Sequence, residues 1–235
     1  MQWLDLPILF PEFEGPERWL PLLQRHQELL DEAAPAVRVT SVSAAESIQR
    51  HYAESLEIWR IALAAAGSAP ALDADVGSGG GFPGLVMACV TPASHFALIE
   101  PLQKRARLLE SIAASLGLQN VEVLAQRAED AGRGHLRDRC DVVTARAVSP
   151  LSELLEYTAP LARRGGLLVL PKGSAGPDEL AAASNALSIL RCSPPRWERM
   201  RPKISETLSV LLVPRAGVSS KLYPRKPGTP AKIPL

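Results

Sequence analysis

The stretch DVGSGGGFPG at residues 75–84 decides the fold. An apolar run at 71–76 leads into it and LVMACV at 85–90 leads out, so it reads as a turn between a strand and a helix. Gly77, Gly79, Gly80, Gly81 and Gly84 fall within eight positions. Such density costs backbone entropy, which is offset where the chain must turn tightly or meet a ligand closely. In α/β sheets, such turns at the carboxyl ends of parallel strands hold nucleotide-like cofactors. A literal dinucleotide fingerprint, Gly79-x-Gly81-x-x-Gly84, lies inside the stretch, and Glu100 follows at the distance of a ribose-binding acid. The glycines alone therefore leave an NAD(P)-dependent oxidoreductase open. Pro83 weighs against it, because a pyrophosphate-binding helix terminus would use a free N–H there.

Downstream, short apolar runs alternate with helical stretches. Strands are expected at 71–76, 96–99, 121–124, 141–145 and 167–170, and helices at 102–116, 150–161 and 178–190. Leu102, Ala106, Leu109, Ala113 and Leu116 form one face of the first of these helices, and Gly117 suits its end. Strands separated by helices imply parallel pairing through right-handed crossovers. Runs 195–200 and 207–213 have no helix between them and suit an antiparallel pair at the sheet edge.

Upstream, two helices are expected. Glu17–Ala33 follows Pro16 and is apolar at roughly helical spacing. The second starts with a capping box, Ser43 to Glu46, continues through Ile48, Tyr52, Leu56, Trp59 and Leu63, and closes at Gly67. The chain thus divides into an N-terminal helical extension (1–67), an α/β domain (68–214) and a Pro-rich basic tail (215–235) expected to wrap that domain. With 235 residues, 46% of them hydrophobic, one sizeable core is available.

From Arg191 onward there are ten Lys or Arg against two acids, a net of +8, which leaves −7 on the first 190 residues. A basic end on an acidic body suggests an anionic partner such as nucleic acid, or simply a solvated tail. Cys89, Cys140 and Cys192 show neither a disulfide framework nor metal spacing. His26, His51, His95 and His135 show no metal spacing either, and His51 reads as structural. No metal site is expected. No apolar run reaches membrane-spanning length and no signal peptide is evident, so a cytoplasmic protein, and a monomer, is the expectation.

Together these residues resemble a known family. Asp75 before the first glycine matches methyltransferase loops of the form DxGxGxG. Glu100 with Lys104-Arg105, then Arg127-Ala128-Glu129, then DVVTARA at 141–147, Lys172-Gly173 and the tail YPRKPGTP at 223–230 follow in order. The set is similar to the bacterial small-subunit (16S) ribosomal RNA guanine-N7 methyltransferases, the glucose-inhibited division protein B family. Departures are Arg38 where asparagine is usual, Glu54 where HYAESL (51–56) usually has aspartate, and Pro171 before Lys172.

The resemblance implies a Rossmann-like S-adenosylmethionine-dependent methyltransferase fold, mostly parallel with an antiparallel edge strand. It implies methyl transfer to N7 of a guanosine in 16S rRNA or a ribosomal particle. Asp75, Gly77, Gly79, Phe82, Glu100, Ala128, Glu129 and Arg146 would bind the cofactor, with Glu100 on the ribose, Ala128-Glu129 beside the adenine, and Arg146 also open to a positioning role. Arg105, Lys172, Arg225 and Lys226 would meet RNA. Arg146 is equally open to a structural ion pair with Asp75 or Glu100. Guanine N7 has an exposed lone pair and no proton, so the reaction needs alignment and no general base. A non-enzymatic RNA-binding assembly factor on the same fold remains an alternative.

Overall fold

A computed structural model describes residues 1–37, 39–67 and 69–235; Arg38 lies outside the described residues. The N-terminal region holds α1 (Asp5–Leu9), α2 (Pro16–Ala33), α3 (Ala44–Ser47), a π-helical turn (Ile48–Ala53) and α4 (Glu54–Ala66). The α/β part runs β1 (Leu72–Val76), α5 (Gly84–Val90), β2 (His95–Ile99), α6 (Gln103–Ser115), β3 (Val121–Leu124), α7 (Ala128–Ala131) and β4 (Cys140–Ala145). It continues through α8 (Leu151–Thr158), β5 (Ala162–Lys172), α9 (Gly176–Ala182), α10 (Ser184–Ile189), β6 (Arg196–Arg199), β7 (Ser209–Pro214) and α11 (Thr229–Lys232).

The described strands form one sheet in the order β3-β2-β1-β4-β5-β7-β6. β1 to β5 pair in parallel. β7 is antiparallel to β5, and β6 to β7. The final pair is therefore antiparallel, as expected, with the later strand inserted inside the earlier one. β6 is left at the edge carrying Arg196, Glu198 and Arg199, charges that discourage edge-to-edge pairing.

Side-chain alternation along the strands builds two cores. Phe96, Leu98, Val142, Leu167, Val169, Val210 and Leu212 face one layer, with α2, α4, α5 and α6. Ala97, Ile99, Val143, Ala145, Leu168, Leu170, Leu211 and Val213 face the other, with α7, α8 and the α9–α10 region. The N-terminal helices are part of the first core. In α2, Trp19, Leu23, His26 and Leu30 recur at helical spacing and are buried. Trp59 of α4 meets Phe96 of β2 edge-on at 5.4 Å, and its indole N–H donates to Thr91.

Several elements differ from the sequence reading. The second N-terminal helix contains the π turn, which a spacing of three or four residues cannot distinguish from regular helix. Ser43 donates its hydroxyl to the Glu46 carboxylate at 2.7 Å in place of a cap to the backbone. Leu102 precedes α6 and is 53% exposed; Ile112 takes its place on the buried face. The helix expected at 178–190 is two short ones, α9 and α10. Gly67 and Gly117 do take the left-handed conformation that ends their helices.

Candidate active site

β1 and β4 are neighbours from which the sheet order runs in opposite directions, and ligands bind outside the carboxyl ends of strands at such a switch point. The glycine loop leaves β1 there and Arg146 leaves β4. Between them opens a cleft of about 730 Å³. Of the residues singled out from sequence, Gly77, Gly79, Phe82, Arg105, Arg146 and Lys172 line it. Asp75, Glu100, Ala128 and Glu129 do not, and Arg225 and Lys226 lie on the tail.

Asp75 is buried beneath the loop. Its Oδ2 accepts from the Gly84 N–H at 3.1 Å, which holds the start of α5, and its Oδ1 accepts from the Thr144 hydroxyl at 2.9 Å on β4. Burial pushes this carboxyl up from its ordinary value, and the bonds from Thr144, Ser78 and Gly84 work against that. Gly84 must be glycine: a Cβ there would lie 2.5 Å from Leu98 Cδ2 and 2.6 Å from Asp75 Cβ. Glu100, also buried, accepts from the Gly79 N–H at 3.0 Å and from the Leu102 N–H at 2.9 Å. One carboxylate thus ties the glycine loop to the start of α6, and each oxygen keeps a second lone pair.

At Gly77, Gly79 and Gly80 the loop presents bare backbone to the cleft. Gly77 has φ +74°, and a Cβ on it would meet Val148 Cγ2 at 2.7 Å. Phe82 is held from below by an aromatic cluster from the N-terminal helices. His51 stacks on it at 4.3 Å and 13°, and Tyr52 meets it edge-on at 5.3 Å. His26 Nε2 lies 2.9 Å from the Gly80 carbonyl and its Nδ1 3.3 Å from the Tyr52 hydroxyl. Burial pulls His26 down to about 4, so its ring is neutral at pH 7. A carbonyl can only accept, so Nε2 carries the proton and Nδ1 accepts from Tyr52.

Arg146 forms no contact pair with Asp75 or Glu100; its acid is Glu54, at 3.4 Å. It donates to the Arg50 carbonyl at 2.9 Å and to His51 Nδ1 at 3.2 Å, and lies over the Phe82 ring at 5.6 Å. Burial pulls its guanidinium down, while Glu54 and Asp75 pull it up. Because His51 accepts from Arg146 at Nδ1, its Nε2 donates to Thr40 Oγ1 at 2.7 Å. Burial, then Arg146 and Arg50, bring His51 down to about 4. Burial raises Glu54 to about 7 against the pull of Arg146 and Arg50. Across the cleft, Lys172 donates to the Ser149 carbonyl at 2.8 Å and to Glu179 at 2.7 Å.

Glu129 is buried and accepts from the Gly228 N–H of the tail at 2.9 Å. Arg225 closes on Glu156 through Nε at 2.9 Å and Nη2 at 2.6 Å. Sequence reasoning did not foresee Glu54 and His51 as cleft residues or His26 as a support of the loop. The HYAESL motif was the available signal for the first two; nothing local marked His26.

The geometry and the comparisons with known proteins agree. A family model described as rRNA small subunit methyltransferase G matches residues 20–204. A Roseiflexus castenholzii protein named ribosomal RNA small subunit methyltransferase G is 39% identical over 201 residues, covering 85% of this chain and 84% of its own. A Lactobacillus helveticus protein of the same name is 39% identical over 163 residues, 68% of each chain. Among solved structures, a SAM-dependent methyltransferase from Aquifex aeolicus superimposes with a TM-score of 0.53 at 15% identity, over 72% of this chain and 92% of its own. A SAM-dependent O-methyltransferase from Thermotoga maritima gives 0.53 at 15%, over 82% and 73%. At such identities the structures speak for the fold alone, which is the methyltransferase fold. The relatives decide between the two readings of the glycines: this chain belongs to the rRNA small subunit methyltransferase G family.

Proposed function

We propose that the chain transfers a methyl group from S-adenosylmethionine to N7 of a guanosine in small-subunit ribosomal RNA, in the cleft above the glycine loop. The observation that carries this reading is the meeting of three things at the switch point: the left-handed glycines Gly77 and Gly79, the Arg146–Glu54 pair and Lys172 on the facing wall. The turn fits the cofactor, since left-handed glycines with room for no Cβ at Gly77 let a ligand approach the main chain. Gly77 and Gly79 would hold its amino-acid portion. Glu100 keeps acceptor capacity for ribose hydroxyls, and Ala128-Glu129 would border the adenine. Asp75 acts from beneath, by fixing the loop.

The N7 lone pair forms the new N–C bond as the methyl–sulfur bond breaks with its electron pair staying on sulfur, so positive charge passes to the base and no proton moves. The protein's task is then alignment and charge placement. Arg146, held by Arg50, His51, Glu54 and Phe82, is a positioning residue for that step. Arg105, Lys172 and Lys226 would meet RNA phosphates, and binding should weaken steeply with salt. Among the described residues no helix is long and apolar enough to cross a membrane. We read the protein as cytoplasmic, where its ribosomal substrate is, and as a monomer.

Mass spectrometry of ribosomal RNA nucleosides, from cells with and without this protein, tests the reading. Loss of one 7-methylguanosine from small-subunit RNA is expected. An unchanged 7-methylguanosine content would defeat it, as would labelled S-adenosylmethionine passing its methyl only to a protein or small molecule.

A further inference from the structure

We propose that Glu54 selects the target base: its carboxylate accepts the N1–H and the 2-amino group of guanine in the cleft. The proposal rests on the guanine-N7 reading above and names the residue that recognises the base.

Most buried acids of the molecule are engaged by their own fold. Asp75, Glu100 and Glu129 accept backbone N–H groups. Glu57 is gripped by Arg60 and Arg201, and Glu156 by Arg225. Asp73 has an unpartnered Oδ2, but its other oxygen accepts from Val142 within the sheet, away from the cleft. Glu54 differs. It lines the cleft, its side chain is 11% exposed, and its pairing is one long contact from Oε2 to Arg146 at 3.4 Å. Among the described residues Oε1 has no partner. A largely buried carboxylate that lines a ligand cleft with acceptor capacity unused calls for a donor from the ligand.

Guanine provides two adjacent donors, N1–H and the exocyclic amino group, on the edge opposite N7. Docking that edge on Glu54 leaves N7 free to react. Adenine offers a bare N1 acceptor and a C–H there, so it would set lone pair against lone pair and leave the buried carboxylate unpaired. The pairing also strengthens as reaction proceeds. Methylation puts positive charge on the ring, which makes N1–H a better donor, so Glu54 binds the transition state more tightly than the ground state. His51 and Glu54, three residues apart at the junction of the π turn and α4, share one helix face and both line the cleft.

The test is calorimetric binding of GMP, IMP and AMP to the full chain saturated with S-adenosylhomocysteine, in wild type, E54Q and E54D. IMP lacks only the 2-amino group. Glutamine keeps the shape but turns one acceptor into a donor. Wild type should bind GMP at least about tenfold tighter than IMP or AMP, as expected for a bidentate base contact. E54Q should erase that ratio while binding S-adenosylhomocysteine with wild-type affinity, and E54D should restore part of it. Equal or absent binding of the three nucleotides by wild type overturns the proposal, as does E54Q keeping the GMP preference. A wild type that prefers GMP through Glu54 yet methylates no small-subunit RNA would sink the functional reading and leave this inference standing.

Discussion

The cleft and the C-terminal tail are both rich in basic side chains, and the molecule uses them in opposite ways. In the tail, cations and their partners hold the chain together. Arg225 and its own backbone N–H converge on Glu156, whose side chain is fully buried. Arg137 donates to the carbonyls of Ser219 and Tyr223, and Arg133 to that of Pro224, so body arginines bind the strap down. Arg215 is buried and donates to the Leu190 carbonyl and to Ser219. In the cleft, Arg146 and Lys172 also have acids and are no more exposed than Arg225, but they line a cavity, and Glu54 is incompletely engaged. The lesson is that the net +8 beyond Arg191 does not by itself locate an RNA surface. What a cation faces and how fully its partner is engaged decide whether it can meet a phosphate.

The contrast is broken most severely at Arg225. Arg225→Ala leaves the Glu156 carboxylate buried without its counter-charge, which costs about 3–5 kcal/mol. Urea unfolding should show a large fall in midpoint, while methyl transfer per folded molecule stays near wild type. If stability is unchanged and RNA affinity collapses, Arg225 belongs with the cleft cations and the distinction between the two regions fails.

Gly77→Asp works from the other side. The substitution places a Cβ at φ +74° against Val148 and a charge where the cofactor would lie on the backbone. Methyl transfer should fall by about three orders of magnitude, equivalent to roughly 4 kcal/mol. Binding of S-adenosylhomocysteine should disappear in calorimetry, with the secondary-structure spectrum retained. Activity above a tenth of wild type would show that the cofactor does not approach this turn.

His26 tests whether the N-terminal helices serve the cleft or merely cover the sheet. His26→Phe keeps an aromatic ring near Phe82 and removes both hydrogen bonds, leaving the Gly80 carbonyl and the Tyr52 hydroxyl without their partner. Leaving buried polar groups unsatisfied costs about 1–3 kcal/mol. If the histidine positions the loop, KM for S-adenosylmethionine should rise severalfold with kcat little changed. A purely structural role would lower the unfolding midpoint and leave KM alone.

The parallel sheet, its antiparallel edge and the loop were legible because they depend on local signals: short apolar runs, helical spacing and crowded glycines. The N-terminal helices were legible as helices but not as part of the site. The contact of His26 with Gly80 spans 54 residues, and no local pattern announces it. The same holds for Arg225 and Glu156, separated by 69 residues. A Lys-Arg-Pro tail looks alike whether it binds phosphate or straps down its own domain. β5 runs from Ala162, well before the expected 167, because Arg163-Arg164-Gly165-Gly166 has the composition of a turn but continues the strand across a register shift opposite Cys140–Val142. The π turn was hidden because one extra residue in a turn leaves apolar spacing nearly intact.

The gentlest test uses pH to compare the incompletely paired acid of the cleft with the rest of the fold. Burial raises Glu54 to about 7 from an ordinary 4.5, so the folded state holds this proton more tightly than the unfolded state. Its favourable contribution is therefore complete below about pH 4.5 and is lost as pH rises through about 7. Asp73, raised to about 8, acts with the same sign, whereas His26 and His51, lowered to about 4, act with the opposite one. Wild-type stability alone would mix these. The difference between E54Q and wild type isolates the one group, because a glutamine side chain does not titrate and the other three groups are common to both proteins. E54Q should gain stability relative to wild type between about pH 4.5 and 7, by at most about 1.4 kcal/mol per pH unit, and hold that gain above. Unfolding midpoints at a series of pH values measure it. A difference independent of pH would mean that Glu54 is ionised throughout, held by Arg146 as firmly as Glu156 is by Arg225. The cleft and the tail would then differ only in lining a cavity or not, and no longer in how fully their acids are paired.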